Sequence, residues 1–272
     1  MHFQQIAPPD FLREYVRYFW TLENRDGDVV SRTFRTIADG CPGLLFQQVG
    51  HALFYDQTHE PWPRLLLYGQ ATRSGEAYAQ GSFRILGVCF YSTALTSVFG
   101  LDADELTDSC VDPDLLSTTQ AAHLSEQLSN TPALSDQIEL LSAYLLAKVR
   151  KNQVLVGDGI RHCLTQLMDS GGRASLQNLQ QRLGISERSF QRKFKQCVGL
   201  SPKLFARICQ FQASLQQLRN QRYDKLSDVA LENDYADQSH HIRTFKEFAG
   251  FSPYQYQKYA NGLVDNFTEL VR

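Results

Sequence analysis

The chain has 272 residues, 43% hydrophobic and 21% charged, and a net charge of −2. That balance supports a packed globular core and excludes a wholly disordered chain. No window approaches 18 uncharged apolar residues, and the opening M-H-F-Q-Q-I-A-P-P-D lacks a basic cluster followed by an apolar stretch; no membrane partner, span or signal peptide is therefore expected, and the location expected is cytoplasmic.

At about 100–200 residues per domain, the length favours two domains. Charge divides along the chain. Residues 1–156 carry 11 Lys+Arg against 18 Asp+Glu, a balance of −7, whereas residues 157–260 carry 15 against 9, a balance of +6. A basic segment joined to an acidic one suggests a polyanionic partner for the basic part.

A short helix is expected near Phe11 to Val16, and the pattern then stays strand-like to about residue 118. Leu44 to Phe54, Leu65 to Tyr68 and Phe83 to Tyr91 are short apolar runs, the last partly alternating. Turn signals separate them at Asp26-Gly27, Asp39-Gly40, Pro42-Gly43, Pro61-Trp62-Pro63 and Ser74-Gly75. Short strands at such intervals indicate a β-sandwich or barrel. Residues 119–156 read as a helical linker. There Leu134, Ile138, Leu141, Leu145 and Val149 share one helix face, suited either to packing on the β domain or to a dimer seam.

From residue 157 to about 260 the chain reads as helices, and it repeats itself. Arg192, Phe194, Lys195, Gly199, Ser201 and Pro202 recur 51 residues later as Arg243, Phe245, Lys246, Gly250, Ser252 and Pro253. A short helix precedes each copy, at Ser175 to Leu183 and Ser227 to Asp234. That upstream pair aligns at an offset of 50, so the second turn is one residue longer. Gly184 suits a left-handed cap, and Ser186 and Asp237 are N-caps for the following helices. Each pair is thus a helix-turn-helix.

Phe190, Phe194 and Cys197 should face inward in the first unit, as should Phe245, Phe248 and His241 in the second. Arg188, Ser189, Gln191, Arg192 and Lys195 are left outward in the first unit; Gln238, Ser239, His240, Ile242, Arg243 and Lys246 are outward or marginal in the second. Arg and Gln can each make two hydrogen bonds to a base edge, Lys pairs with phosphate, and Ile242 could meet a thymine methyl. Double-stranded DNA is the expected partner. Ser201-Pro202 should start a long helix running to about Arg219 and holding the two units apart.

The G-L-S-P segment, the long connecting helix, D-Y-A-D-Q-S-H-H-I-R-T-F-K and G-F-S-P-Y-Q-Y together resemble the DNA-binding domain of the AraC/XylS family of transcription regulators. The resemblance implies seven helices and two recognition helices entering successive major-groove segments. It also implies a homodimer, with RNA polymerase as a candidate partner. Two departures stand out: Asp234 occupies the family's usual Gly position, and His241 an aromatic one. In the first half, P-x-x-F-L-R-E-Y-V-R-Y-F-W from Pro8, R-T-I-A-D-G-C-P-G-L-L-F from Arg35 and G-V-C-F-Y from Gly87 resemble the β-rich sensory half of one branch of these regulators. That implies a cupin-like or jelly-roll pocket for a small-molecule effector, with Arg35, Asp39 and Cys41 as candidate contacts or, equally, turn and core residues.

The fold class expected is therefore an α+β multidomain chain. An N-terminal β-sandwich or cupin-like sensory domain (1–118) precedes a helical linker and candidate dimer element (119–156), an all-α domain with two helix-turn-helix motifs (157–260) and a C-terminal tail (261–272). No enzyme is expected. His51, His59 and Glu60 are too scattered for a cupin metal site, and no G-x-S-x-G, H-E-x-x-H or phosphate-cradling loop occurs. Cys41, Cys89, Cys110, Cys163, Cys197 and Cys209 show no C-x-x-C spacing, so reduced buried thiols are expected, with no disulfide framework, metal or cofactor. Two other readings stay open: an alkylation-response protein with a reactive Cys41, and a ligand-independent DNA-binding or interaction protein.

Overall fold

The structure, a computed structural model, describes residues 1–25, 31–48, 50, 52–116, 123–152, 154, 156–264 and 267–270, with side chains through 258. The Asp26-Gly27 turn, His51 and the expected boundary at 118–119 lie outside the described residues.

Two antiparallel sheets form the N-terminal domain. The first has the order β1 (His2–Ile6), β2 (Val16–Asn24), β8 (Phe83–Phe90), β4 (Gly43–Gln47), β6 (Leu65–Tyr68) and β9 (Cys110–Val111). The second contains β3 (Ser31–Thr36), β7 (Gly75–Gln80) and β5 (Phe54–Asp56). Tyr18, Trp20 and Leu22 of β2 point between the sheets, into a cluster with Phe34, Phe54, Phe83 and Ile85. Val16 and Phe19 of the same strand point the other way, into a cluster with Phe46, Val88 and Phe90 that the following helices cover. Because the first sheet is buried on both faces, apolar residues occupy both registers of β8, and its alternation is correspondingly weak.

The expected helix at Phe11 to Val16 shrinks to a 3-10 turn at Asp10–Leu12. Val16 already begins the nine-residue β2, whose aromatic and branched side chains pair along the length of β8. The Leu44-to-Phe54 run splits between sheets: β4 joins the first and β5 the second. Buried Gln47 bridges the gap, accepting from the Phe54 N–H at 2.7 Å and donating to the Pro63 carbonyl at 2.8 Å.

Three helices, α1 (Ala94–Phe99), α2 (Leu124–Ser129) and α3 (Leu134–Asn152), cover the outer face of the first sheet. Leu141 and Leu145 of α3 are fully buried there, so the apolar stripe packs on the β domain. Among the described residues seven helices follow: α4 (Asp158–Asp169), α5 (Leu176–Arg182), α6 (Glu187–Val198), α7 (Pro202–Arg219), α8 (Leu226–Glu232), α9 (Gln238–Ala249) and α10 (Pro253–Tyr259). Their core is built on Phe190, Phe194, Phe205, Phe211, Phe245 and Phe248, and it takes in Ile37 and Ala38 from the β domain. Among the described residues, no helix is long and apolar enough to cross a membrane.

The segment expected as a tail forms a hairpin instead. β10 (Ala260–Val264) pairs with β11 (Phe267–Leu270), and β11 pairs with β3, completing the five-stranded second sheet. An open edge on β3 would leave a row of backbone groups without partners, and the returning chain supplies them.

Candidate nucleic-acid interface and effector cavity

Both helix-turn-helix units are built from local signals. Ser186 accepts the Ser189 N–H at 3.3 Å and Asp237 the His240 N–H at 2.6 Å, so each second helix starts at a side-chain cap. Ser201 accepts the Leu204 N–H, and Pro202 opens α7. Phe190, Phe194 and Val198 are buried on α6, as are His241, Phe245 and Phe248 on α9. Val198 takes the core place expected for Cys197, which is only half-buried. Arg188, Gln191, Arg192 and Lys195 are exposed on α6, with Ser189 intermediate; Gln238, Ser239, Arg243 and Lys246 are exposed on α9, with His240 and Ile242 intermediate.

Asp234 adopts the left-handed conformation of its counterpart Gly184, with φ of 56° against 63°. The turn geometry is thus preserved without glycine, and Arg173 approaches the Asp234 carboxylate at 3.7 Å. His241 packs between the rings of Tyr235 and Phe245, with centroids at 4.7 and 5.7 Å. Its Nε2 is buried without a hydrogen-bond partner, and burial, aided by His240, pushes its pKa down to about 4.

The β domain grips the C-terminal ends of both second helices in matching fashion. Gly199 and Gly250 end α6 and α9 in the left-handed region, with φ of 87° and 76°. The Thr107 hydroxyl donates to the Gly199 carbonyl, and the Arg35 guanidinium to the Gly250 carbonyl, each at 2.7 Å. A Cβ at Gly199 would come within 2.8 Å of the Ala103 carbonyl oxygen, so a side chain there would push the domains apart. Further contacts flank these. Lys195 pairs with Asp104 at 2.8 Å, the Ala38 N–H donates to the Phe248 carbonyl, and the Ser74 N–H donates to the Glu247 carbonyl.

A cavity of about 630 Å³ opens in the β domain. Trp20, Leu45, Trp62 and Leu66 line it, as do Asp39, Cys41, Gln70 and Glu76. Gln70 is fully buried; its Nε2 donates to the Gly40 carbonyl while its Oε1 has no hydrogen-bond partner. Of the three candidate effector contacts, Asp39 and Cys41 line this cavity. Arg35 does not; it lies behind the wall, joining Glu76 to the end of α9. The fold also collects Asp39, Cys41 and Cys89, whose ligand atoms lie within 4.8 Å of one another. Cys89 was not separable from other buried thiols in the sequence, because it is 48 residues from Cys41 and joins it only through sheet pairing.

Residues 179–259 match a helix-turn-helix domain family, and residues 4–112 match a domain of unknown function, DUF6597. The HTH-type transcriptional activator RhaS of Escherichia fergusonii is 29% identical over 121 residues, which make up 42% of this chain and 43% of that protein. Residues 179–259 are thus a helix-turn-helix domain of the AraC type. A β-rich first half precedes this helical second half. Similar solved structures include ToxT from Vibrio cholerae, at 11% identity and a TM-score of 0.48 over 88% of this chain and 98% of that one. ToxT bound to (E)-4-(8-methylnaphthalen-1-yl)but-3-enoic acid is 14% identical, with a TM-score of 0.46 over 88% and 98%.

Proposed function

We propose that this AraC-type protein is a cytoplasmic, sequence-specific transcription regulator that reads duplex DNA with α6 and α9. The observation that carries the reading is the pair of exposed faces Arg188-Gln191-Arg192 and Gln238-Arg243-Lys246, each borne on a buried phenylalanine stripe in a capped helix-turn-helix. Guanidinium and amide groups at such positions bond base edges, and the lysines neutralise phosphates. Ser189, Ser239, His240 and Ile242 complete the two reading surfaces. A homodimer would double this contact and match paired half-sites.

The cavity supports control by a small effector, with Asp39 and Cys41 as contacts. Glu76 lines the cavity and pairs with Arg35, which holds the end of α9. An effector that displaces Glu76 therefore changes how firmly the second reader is held. The test begins with selection of a binding site from random duplexes, followed by fluorescence anisotropy. Arg192→Ala and Arg243→Ala should each weaken specific binding by about 1–3 kcal/mol while leaving non-specific binding much less affected. Unchanged affinity and footprint in both variants would remove the assigned faces.

A further inference from the structure

We infer that Asp39, Cys41 and Cys89 form a binding site for a thiophilic divalent cation of the Zn²⁺ class, open to the β-domain cavity. The inference rests on the geometry of the β domain and is independent of the DNA-binding reading.

Three donors of the right kind converge. One carboxylate oxygen and two thiol sulfurs lie within 4.8 Å of one another. Zn–S bonds of about 2.3 Å place tetrahedral sulfurs about 3.8 Å apart, so the cluster needs a contraction of about an ångström or less. Both thiols are buried, at 6% and 1% exposure, and Asp39 and Cys41 also line the cavity. A cation can therefore enter from that side. Three protein ligands, two of them lining the cavity, leave a fourth position for water or a small ligand.

The surroundings differ from those of two cysteines packed as small hydrophobes. The Asp39 Oδ1 accepts the Cys41 N–H at 3.0 Å, which fixes the carboxylate beside the sulfur. The Arg17 Nη1 donates to the Cys41 Sγ at 3.0 Å. Arg17 is the additional residue of a β-bulge: Val16 pairs with Phe90 and Tyr18 with Cys89, so Arg17 has no opposite number. Such a bulge re-aims a side chain, here onto the sulfur pair. The charges also close. Two thiolates and a carboxylate carry three negative charges, which Arg17 and a divalent cation neutralise. A donor onto a ligating sulfur is the usual outer support of a metal site.

The site is well placed to be read by the helical domain. The segment between Ala38 and Cys41 docks there directly: the Ala38 carbonyl accepts from Gln212 Nε2 at 2.6 Å, and a Cβ on Gly40 would meet the Phe205 ring at 3.1 Å.

Reduced, chelator-stripped full-length protein titrated anaerobically with Cd²⁺ tests the site. One equivalent should raise an ultraviolet thiolate-to-metal band. Zn²⁺ in large excess should compete for the same site and reduce the band. Cys41→Ser and Cys89→Ser should each abolish the one-equivalent band, and Asp39→Asn should weaken it. Arg17→Ala should lower affinity about 10–100-fold. Cys110→Ser and Cys163→Ser should leave it intact. Circular dichroism identifies any variant that fails to fold, in which case Asp39→Asn and Arg17→Ala decide. A band that survives in the Cys41→Ser/Cys89→Ser double variant would overturn the assignment.

Discussion

The Lys195 ammonium lies 2.8 Å from both carboxylate oxygens of Asp104, so a cation on the first reading helix is engaged by the β domain. The two residues are 91 apart in the chain and half-exposed. Two charges shared across a domain boundary make a contact that DNA must either tolerate or break.

Asp104→Asn should release Lys195 for a phosphate. A half-exposed pair is worth about 0.2–1 kcal/mol, so DNA affinity should rise up to about five-fold. The dependence of binding on salt should steepen by about one ion. Anisotropy titrations at several salt concentrations measure both, and an unchanged slope would mean that Lys195 does not reach the backbone.

Arg35→Gln removes a half-buried donor from the Gly250 carbonyl and the partner of Glu76. Leaving these acceptors unsatisfied should cost roughly 1–3 kcal/mol of stability. Amide exchange should accelerate at the end of α9 around 246–250 while the end of α6 stays protected. Arg35→Lys should not restore the wild-type behaviour, because one ammonium cannot span both acceptors as the forked guanidinium does.

Asp234 holds a left-handed backbone at φ 56° without being glycine. A non-glycine residue is disfavoured there by roughly 1–2 kcal/mol. Asp234→Gly relieves that strain, although the unfolded chain gains freedom and the Arg173 contact is lost. A net gain of up to about 1 kcal/mol in urea unfolding is expected. A loss of stability would show that the Arg173 contact outweighs the backbone term.

Burial holds the His241 imidazole neutral, with its pKa lowered from 6.5 to about 4. Its folded value lies below its unfolded value, so the stability from keeping it neutral is fully present above about pH 6.5 and is lost as pH falls toward 4. The loss amounts to roughly 3 kcal/mol at most. His241→Phe should remove this component, giving a shallower fall in melting temperature between pH 6.5 and 4 than wild type shows. Parallel curves would mean that the ring reaches water when protonated.

Local pattern carried the helical half. The Phe190–Phe194 and Phe245–Phe248 spacings of four and three, Ser and Asp caps, and glycines before Ser-Pro specify each helix within a few turns, and the 51-residue repeat doubles the signal. The β domain was legible only as strands. Its layering was hidden because Phe83–Phe90 lies in a sheet covered on both faces, which erases period-two alternation. The Phe11 helix gave way to pairing with a strand some seventy residues away, and the C-terminal hairpin depends on an edge of β3 that no local window contains.

What the sequence alone determined was the doubled reader: its helix boundaries, its buried phenylalanines and the basic faces they turn outward, all set by neighbours three or four residues apart. Tertiary structure decided that Arg35 and Thr107 would hold the ends of those readers, and that Asp39, Cys41 and Cys89 would meet above a bulge at Arg17. Apart from the near neighbours Asp39 and Cys41, those contacts join residues from 24 to 215 positions apart. Chain topology and strand register bring such residues together, and neither leaves a periodic trace in the residues themselves.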